Sequence, residues 1–112
     1  MELSARVCEP CRGGTAPLSE SDASKYLEQL PGWSIIEGGV KLERRFEFAD
    51  FASAMKFSNE VAAIAEDAGH HPDMTIGWGY CRVVSYTHAI GGLHENDFIL
   101  AARVNEIRVP PR

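Results

Sequence analysis

Long apolar runs are missing from this 112-residue chain. No segment approaches the roughly 20 apolar residues that a membrane-crossing helix needs. The first ten residues, MELSARVCEP, hold no apolar stretch of signal-peptide length. The expectation is a cytoplasmic protein without membrane attachment. Basic excess is missing too: 11 Lys and Arg against 16 Asp and Glu give a formal charge of −5 at pH 7. Such a chain has no positive field to gather phosphates, which counts against nucleic acid as a direct partner. Cysteine is scarce. Cys8, Cys11 and Cys81 cannot all pair within one chain, and a reducing cytoplasm keeps them as thiols. CEPC has the C-x-x-C spacing of a zinc or redox site, but no second pair accompanies it and no βαβ unit carries it. Also absent are a glycine-rich phosphate loop, a dinucleotide fingerprint and H-E-x-x-H.

What is present is the profile of one soluble globular domain, 45% hydrophobic and 24% charged. Residues 1–18, rich in turn formers, read as a loose N-terminal arm, and residues 19–109 as the domain. Ser19 can cap a helix over residues 20–30, stopped by Pro31-Gly32. WSIIEGGVKLERRFEF reads as a hairpin with strands over 33–36 and 40–48, the second alternating apolar and charged residues. Asp50 can cap a helix in which Ala54, Phe57, Val61, Ile64, Ala65 and Ala68 form one apolar stripe, ending at Gly69. A second hairpin follows, with strands over 74–77 and 80–88. A last helix covers about 95–108, with Glu95 and Asp97 in its first turn. The order α-β-β-α-β-β-α predicts an α+β fold, a four-stranded antiparallel sheet with about three helices on one face. Strand 80–88 has apolar groups on both faces. In so small a domain this leads us to expect a homodimer or a dimer of dimers, with sheet edges and the 54–68 helix as contacts.

The chemistry-bearing residues are mostly histidines: His70, His71, His88 and His94, all at ends of expected elements. On a continuing helix, two neighbouring imidazoles would point about 100° apart. A helix that stops at Gly69 removes that restriction, and Pro72 biases His71 toward extended backbone, so the two rings can turn to one pocket. Histidine titrates near neutrality, which suits proton transfer without a cofactor. A metal held by His70, His71, His88 and a carboxylate such as Glu66 or Asp97 is a competing reading. Spacing alone leaves acid/base catalysis, a metal site and a structural role open.

The run FADFASAMKFSNEVAAIAEDAGHHP, residues 48–72, and THAIGGLHENDFILA, residues 87–101, closely resemble the pterin-4a-carbinolamine dehydratases. LPGW at 30–33 belongs to the same pattern, and CEPCR with GHHP and GLHENDFILAAR looks like its bacterial branch. The family pattern of a double histidine and proline, an aromatic, a third histidine and an aspartate is met by His70, His71, Pro72, Trp78, His88 and Asp97. The resemblance implies a hydro-lyase that dehydrates 4a-hydroxytetrahydrobiopterin, or a related pterin, to the quinonoid dihydropterin. That step recycles the cofactor of an aromatic amino acid hydroxylase. It implies His70 and His88 as acid/base groups, one for each face of the pterin, and His71 as a group that binds and orients it. Glu66, Gly69, Thr87 and Asp97 join them as substrate-binding positions, Asp97 also orienting a histidine or fixing the turn. Neither a metal nor an organic cofactor is implied. Two positions depart from the animal branch, Gly69 and Ala89 standing where it has acidic residues, and Tyr86 replaces a smaller residue. A rival role, also found in the family, is a non-catalytic dimerisation or assembly cofactor for another protein.

Overall fold

Both ends of helix α2 (Phe51–Ala68) follow from single residues. The Asp50 carboxylate accepts the Ser53 N–H at 2.8 Å, satisfying one orphan donor of the first turn. That bond holds its carboxyl below the usual carboxylate range. At the other end Gly69 takes φ 68°, the left-handed conformation that glycine adopts without steric cost. There the Gly69 N–H reaches the Glu66 carbonyl and the His70 N–H reaches that of Ala65, at 3.3 and 3.2 Å. The backbone of His70 is thereby tied to the helix it leaves. Ala54, Phe57, Val61 and Ala65 are buried as the stripe requires, while Ile64 and Ala68 are half-buried. Ser58 joins the buried face because its hydroxyl donates to the Ala54 carbonyl at 2.7 Å.

The structure, a computed structural model, describes residues 2–9 and 16–109. Cys11 of the C-x-x-C pair lies outside them. The order is α1 (Glu20–Leu27), β1 (Ser34–Ile36), β2 (Lys41–Glu47), α2, β3 (Asp73–Gly77), β4 (Tyr80–Ser85) and α3 (Glu95–Asn105). This is the α-β-β-α-β-β-α order expected of an α+β fold, and its four strands form one antiparallel sheet ordered β1-β2-β4-β3. Two hairpins thus meet along β2 and β4, with Arg44 opposite Val83 and Phe46 opposite Cys81. Leu42, Phe46, Cys81 and Val83 are buried on the face that α2 and α3 cover. Burial pushes the Cys81 thiol up, away from its reactive ionised form. Helix α1 reaches the core through Tyr26, whose ring lies 5.3 Å from that of Phe98 in α3. On the other face of the sheet, Arg82 pairs with Glu43 and Arg45 lies over the Tyr80 ring at 4.2 Å.

Three elements end three residues sooner than their patterns suggest. Helix α1 stops at Leu27, not residue 30, because the N–H groups of Gln29 and Leu30 turn back to Tyr26 and Leu27 before Pro31. Helix α3 stops at Asn105, not residue 108, and the Asn105 side chain ties down LPGW. Its Oδ1 accepts from Trp33 Nε1 and Arg44 Nη1, both at 2.7 Å, and its Nδ2 donates to the Pro31 carbonyl at 3.2 Å. Gly32 in that loop has φ 89°, and a Cβ there would fall 2.5 Å from Arg44 Nε. Strand β4 stops at Ser85, and His88–Ile90 forms a 3-10 turn instead of continuing it.

Residues 2–9, expected as part of a loose arm, lie along α3. Leu3 is 2% exposed, Arg103 Nη2 donates to the Arg6 carbonyl at 2.6 Å, and Arg6 pairs with Glu95. A lone leucine in a polar stretch carries no periodicity, so the sequence pattern gives no sign of this packing.

Candidate active site

The carboxylate of Asp97, in the first turn of α3, has no exposed surface. Its Oδ1 accepts from His70 Nε2 and from Ser85 Oγ, each at 2.6 Å. Its Oδ2 accepts from Thr87 Oγ1 at 2.8 Å and from the His94 N–H at 3.0 Å. A buried carboxylate survives only where its lone pairs are met, and here each oxygen receives two donors. The donors come from the chain leaving α2, the last residue of β4, the segment beyond it and the cap of α3. His94 is that cap: its Nδ1 accepts the Asn96 N–H at 3.1 Å, and the Asp97 side chain returns to the His94 N–H.

The two adjacent histidines separate rather than converge. His70 turns inward onto Asp97, with 12% of its side chain exposed. His71 turns outward, 60% exposed, with Nε2 3.4 Å from Glu66 Oε2 on an equally open side chain. The buried Asp97 carboxylate takes the ring nearest the Gly69 turn, and the His71 ring lies outside it. Of the residues singled out above, His70, Thr87 and Asp97 are therefore joined directly. Glu66, in the last turn of α2, and His71 form a separate exposed pair, with the Gly69 turn between them in the chain.

His88 follows Thr87 and is exposed, its ring resting on Tyr86 with centroids 4.1 Å apart. Lys41 Nζ lies 4.7 Å from the Tyr86 ring centroid. Trp78, the aromatic of the motif, is 71% exposed in the β3–β4 turn. That turn is held to the end of β2 by Phe48 N–H donating to the Gly79 carbonyl, so it sits at the opposite end of α2 from His70. Among the described residues, no three His, Cys, Asp or Glu side chains are grouped as a metal would need. Ser85 is a participant that the sequence reading passed over, and Tyr86, noted there as replacing a smaller residue, carries the His88 ring. Ser85 could have been found from alternation, since it shares the inward face with Cys81 and Val83 and a hydroxyl there demands a partner.

Replacing Asp97 with Asn keeps the shape but turns one acceptor into an amino group facing two donors. The expected loss of stability for Asp97→Asn is about 3 kcal/mol or more, the range for breaking one partner of a buried pair. Urea unfolding checks this, and an unchanged midpoint would show that the four donors do not depend on the carboxylate.

Residues 16–107 match the family described as pterin 4 alpha carbinolamine dehydratase. An Azoarcus protein provisionally named as a pterin-4-alpha-carbinolamine dehydratase is 49% identical over 106 residues, 95% of this chain and 91% of its own. One from Methylococcus capsulatus, provisionally named likewise, is 50% identical over 105 residues, 94% of this chain and 92% of its own. Among solved structures, a Brucella melitensis protein described as a transcriptional coactivator/pterin dehydratase superposes with a TM-score of 0.75 at 32% identity. It covers 80% of this chain and 95% of its own. A pterin dehydratase-like protein identified as a RuBisCO assembly factor in the alpha-carboxysome gives 0.57 at 28% identity, over 66% and 86%. The chain belongs to the pterin-4-alpha-carbinolamine dehydratase family.

Proposed function

We propose that this protein is a hydro-lyase acting on 4a-hydroxytetrahydropterins, releasing water and the quinonoid dihydropterin, and so serving an aromatic amino acid hydroxylase. The single observation that carries this reading is the His70 ring held through Nε2 on Asp97. Both Asp97 oxygens act as acceptors, so Nε2 is the donor of that bond. Nδ1 is left as the nitrogen that exchanges a proton with a ligand, on a ring whose orientation is already set. The reaction needs two proton transfers. One proton goes to the 4a-hydroxyl, which departs as water. The other leaves N5, and the electrons of the N5–H bond close the C4a–N5 double bond. Histidine is suited to both, and neither metal nor organic cofactor enters.

The three histidines differ in ways that suit different work. His70 is shielded and its ring is held by a carboxylate. His88 is open and rests on Tyr86, and we assign it to the second face of the pterin. His71, exposed beside Glu66, is assigned to binding, together with Glu66, the Gly69 backbone and Thr87. The rival reading, a non-catalytic dimerisation or assembly module, draws on the descriptions of the two solved relatives. The complete histidine set and its buried carboxylate favour the enzyme.

Self-association belongs to the same proposal. Strands β1 and β3 are the outer strands of the sheet, each paired on one side among the described residues, and exposed edges of this kind favour pairing with a second copy. Light scattering at micromolar concentration should give a dimer or tetramer, and a monomer would refute it.

The enzymatic test is single-turnover dehydration of each 4a-hydroxyl epimer, with a chelator present and the uncatalysed rate subtracted. His70→Ala and His88→Ala should each slow one epimer far more than the other, by up to about 100- to 10,000-fold for a lost general acid. His71→Ala should chiefly raise KM, because an orienting contact is made in ground and transition states alike. Equal losses on both epimers would refute the two-face assignment, and no dehydration by the wild-type protein would favour the binding module.

A further inference from the structure

Ser85 ends β4 on its inward face and has no exposed surface. A hydroxyl buried there is costly without a partner, and its partner is the same Asp97 oxygen that holds His70. Both bonds are 2.6 Å long, and that from Ser85 is in the range of hydroxyl-to-carboxylate hydrogen bonds. One donor of the pair is always neutral, and the other becomes a cation whenever the ring takes a second proton. The two compete for the negative charge on one oxygen. The Thr87 hydroxyl and the His94 N–H lie on Oδ2, which does not meet the ring.

We infer that Ser85 is a positioning residue for the dehydration, its hydroxyl limiting how firmly Asp97 holds the protonated His70 ring. The inference rests on the reading of His70 as an acid/base group. Without the hydroxyl, more of the carboxylate charge is directed at the ring, the imidazolium is held more firmly, and it gives up its proton less readily. With it, part of that charge is taken up by the Ser85 hydroxyl and less is directed at the ring. Thr87 acts on the other oxygen and influences the ring less.

The remaining charged groups near His70 in the fold are paired elsewhere or exposed. From α2, Glu66 faces His71, and Asp67 lies 3.9 Å from Arg103 of α3. Asp73 is exposed at the start of β3. Beyond β4, His88 rests on Tyr86, and in the cap of α3 the His94 ring takes the Asn96 N–H while Glu95 pairs with Arg6. Asp97 is the charged group that hydrogen-bonds to the His70 ring, and Ser85 is the neutral donor sharing the oxygen concerned.

The experiment compares the full-length wild type with Ser85→Ala and Thr87→Val by two readouts: NMR titration of the His70 ring signals, and the pH profile of kcat/KM. In Ser85→Ala the His70 midpoint should rise by about half a pH unit or more, as expected when a hydrogen bond to a charged group is redistributed. The low-pH limb of the rate profile should rise with it, and Thr87→Val should shift both less. A purely structural serine would lower the melting temperature and leave both midpoints where they were, which would overturn the inference. A shift in Thr87→Val equal to or larger than that in Ser85→Ala would also overturn it. Should Ser85→Ala not fold, Ser85→Cys, a weaker donor of similar shape, is read in the same way. Failure of the enzymatic reading is distinct: an inactive wild-type protein removes the role in dehydration whatever the NMR midpoints do. Unmoved midpoints in an active protein remove the role of Ser85 alone.

Discussion

A buried carboxylate is expensive. Even after relaxation, the effective penalty for taking such an ion out of water is several kcal/mol, and it is offset only where donors surround it. Asp97 meets that condition with four donors, from residues 70, 85, 87 and 94. Those four lie in three segments, so the exit of α2, the end of β4 and the cap of α3 must meet at one point before the charge is satisfied. Burying the carboxylate therefore does more than support a histidine. It ties the second hairpin to the two helices that cover the sheet, and a chain folded with any of these segments displaced would leave a charge without partners.

The same dependence explains which parts of the fold were legible in the sequence. The ends of α2 were, because Asp50 and Gly69 act on their immediate neighbours. Both hairpins were, from alternation and turn residues. The fate of the double histidine was not. Gly69 and Pro72 announce that His70 and His71 leave helical geometry, but which ring turns inward is decided by an acceptor 27 residues away. The sequence reading allowed both rings to turn to one pocket, and the structure gives His70 a buried partner, Asp97, and His71 an exposed one, Glu66. His94 was grouped with the other histidines by residue type and given no role by the resemblance, and its ring nitrogen caps α3. Leu3 and Ser85 were missed for a related reason: each is a single residue whose burial depends on a distant surface.

Family membership spans residues 16–107, yet the described structure extends the domain toward the N-terminus. Residues 2–9 lie on α3 near the turn that carries Asp97. The Glu9 N–H donates to Asn96 Oδ1 at 3.0 Å, and Asn96 Nδ2 donates to the Glu9 carbonyl. Asn96 is 3% exposed and adjoins Asp97 in sequence, so the first turn of α3 is held from outside as well as from within. That rigidity is what an acid/base histidine requires of its support, since a ring free to rotate would spend little time aligned with its ligand. His71 and His88, by contrast, lie on exposed segments where side chains can adjust to a bound molecule.

The central claim is that Asp97 takes its hydrogen bond from Nε2 of His70 and leaves Nδ1 for chemistry. Long-range proton–nitrogen correlation NMR on the neutral ring reads this directly, because the protonated and unprotonated ring nitrogens resonate far apart. The expected result is a single tautomer with the proton on Nε2 in the wild-type protein, giving way to a mixture in Asp97→Ala. A wild-type ring protonated on Nδ1, or one already mixed, would contradict the arrangement on which both the fold and the proposed chemistry rest.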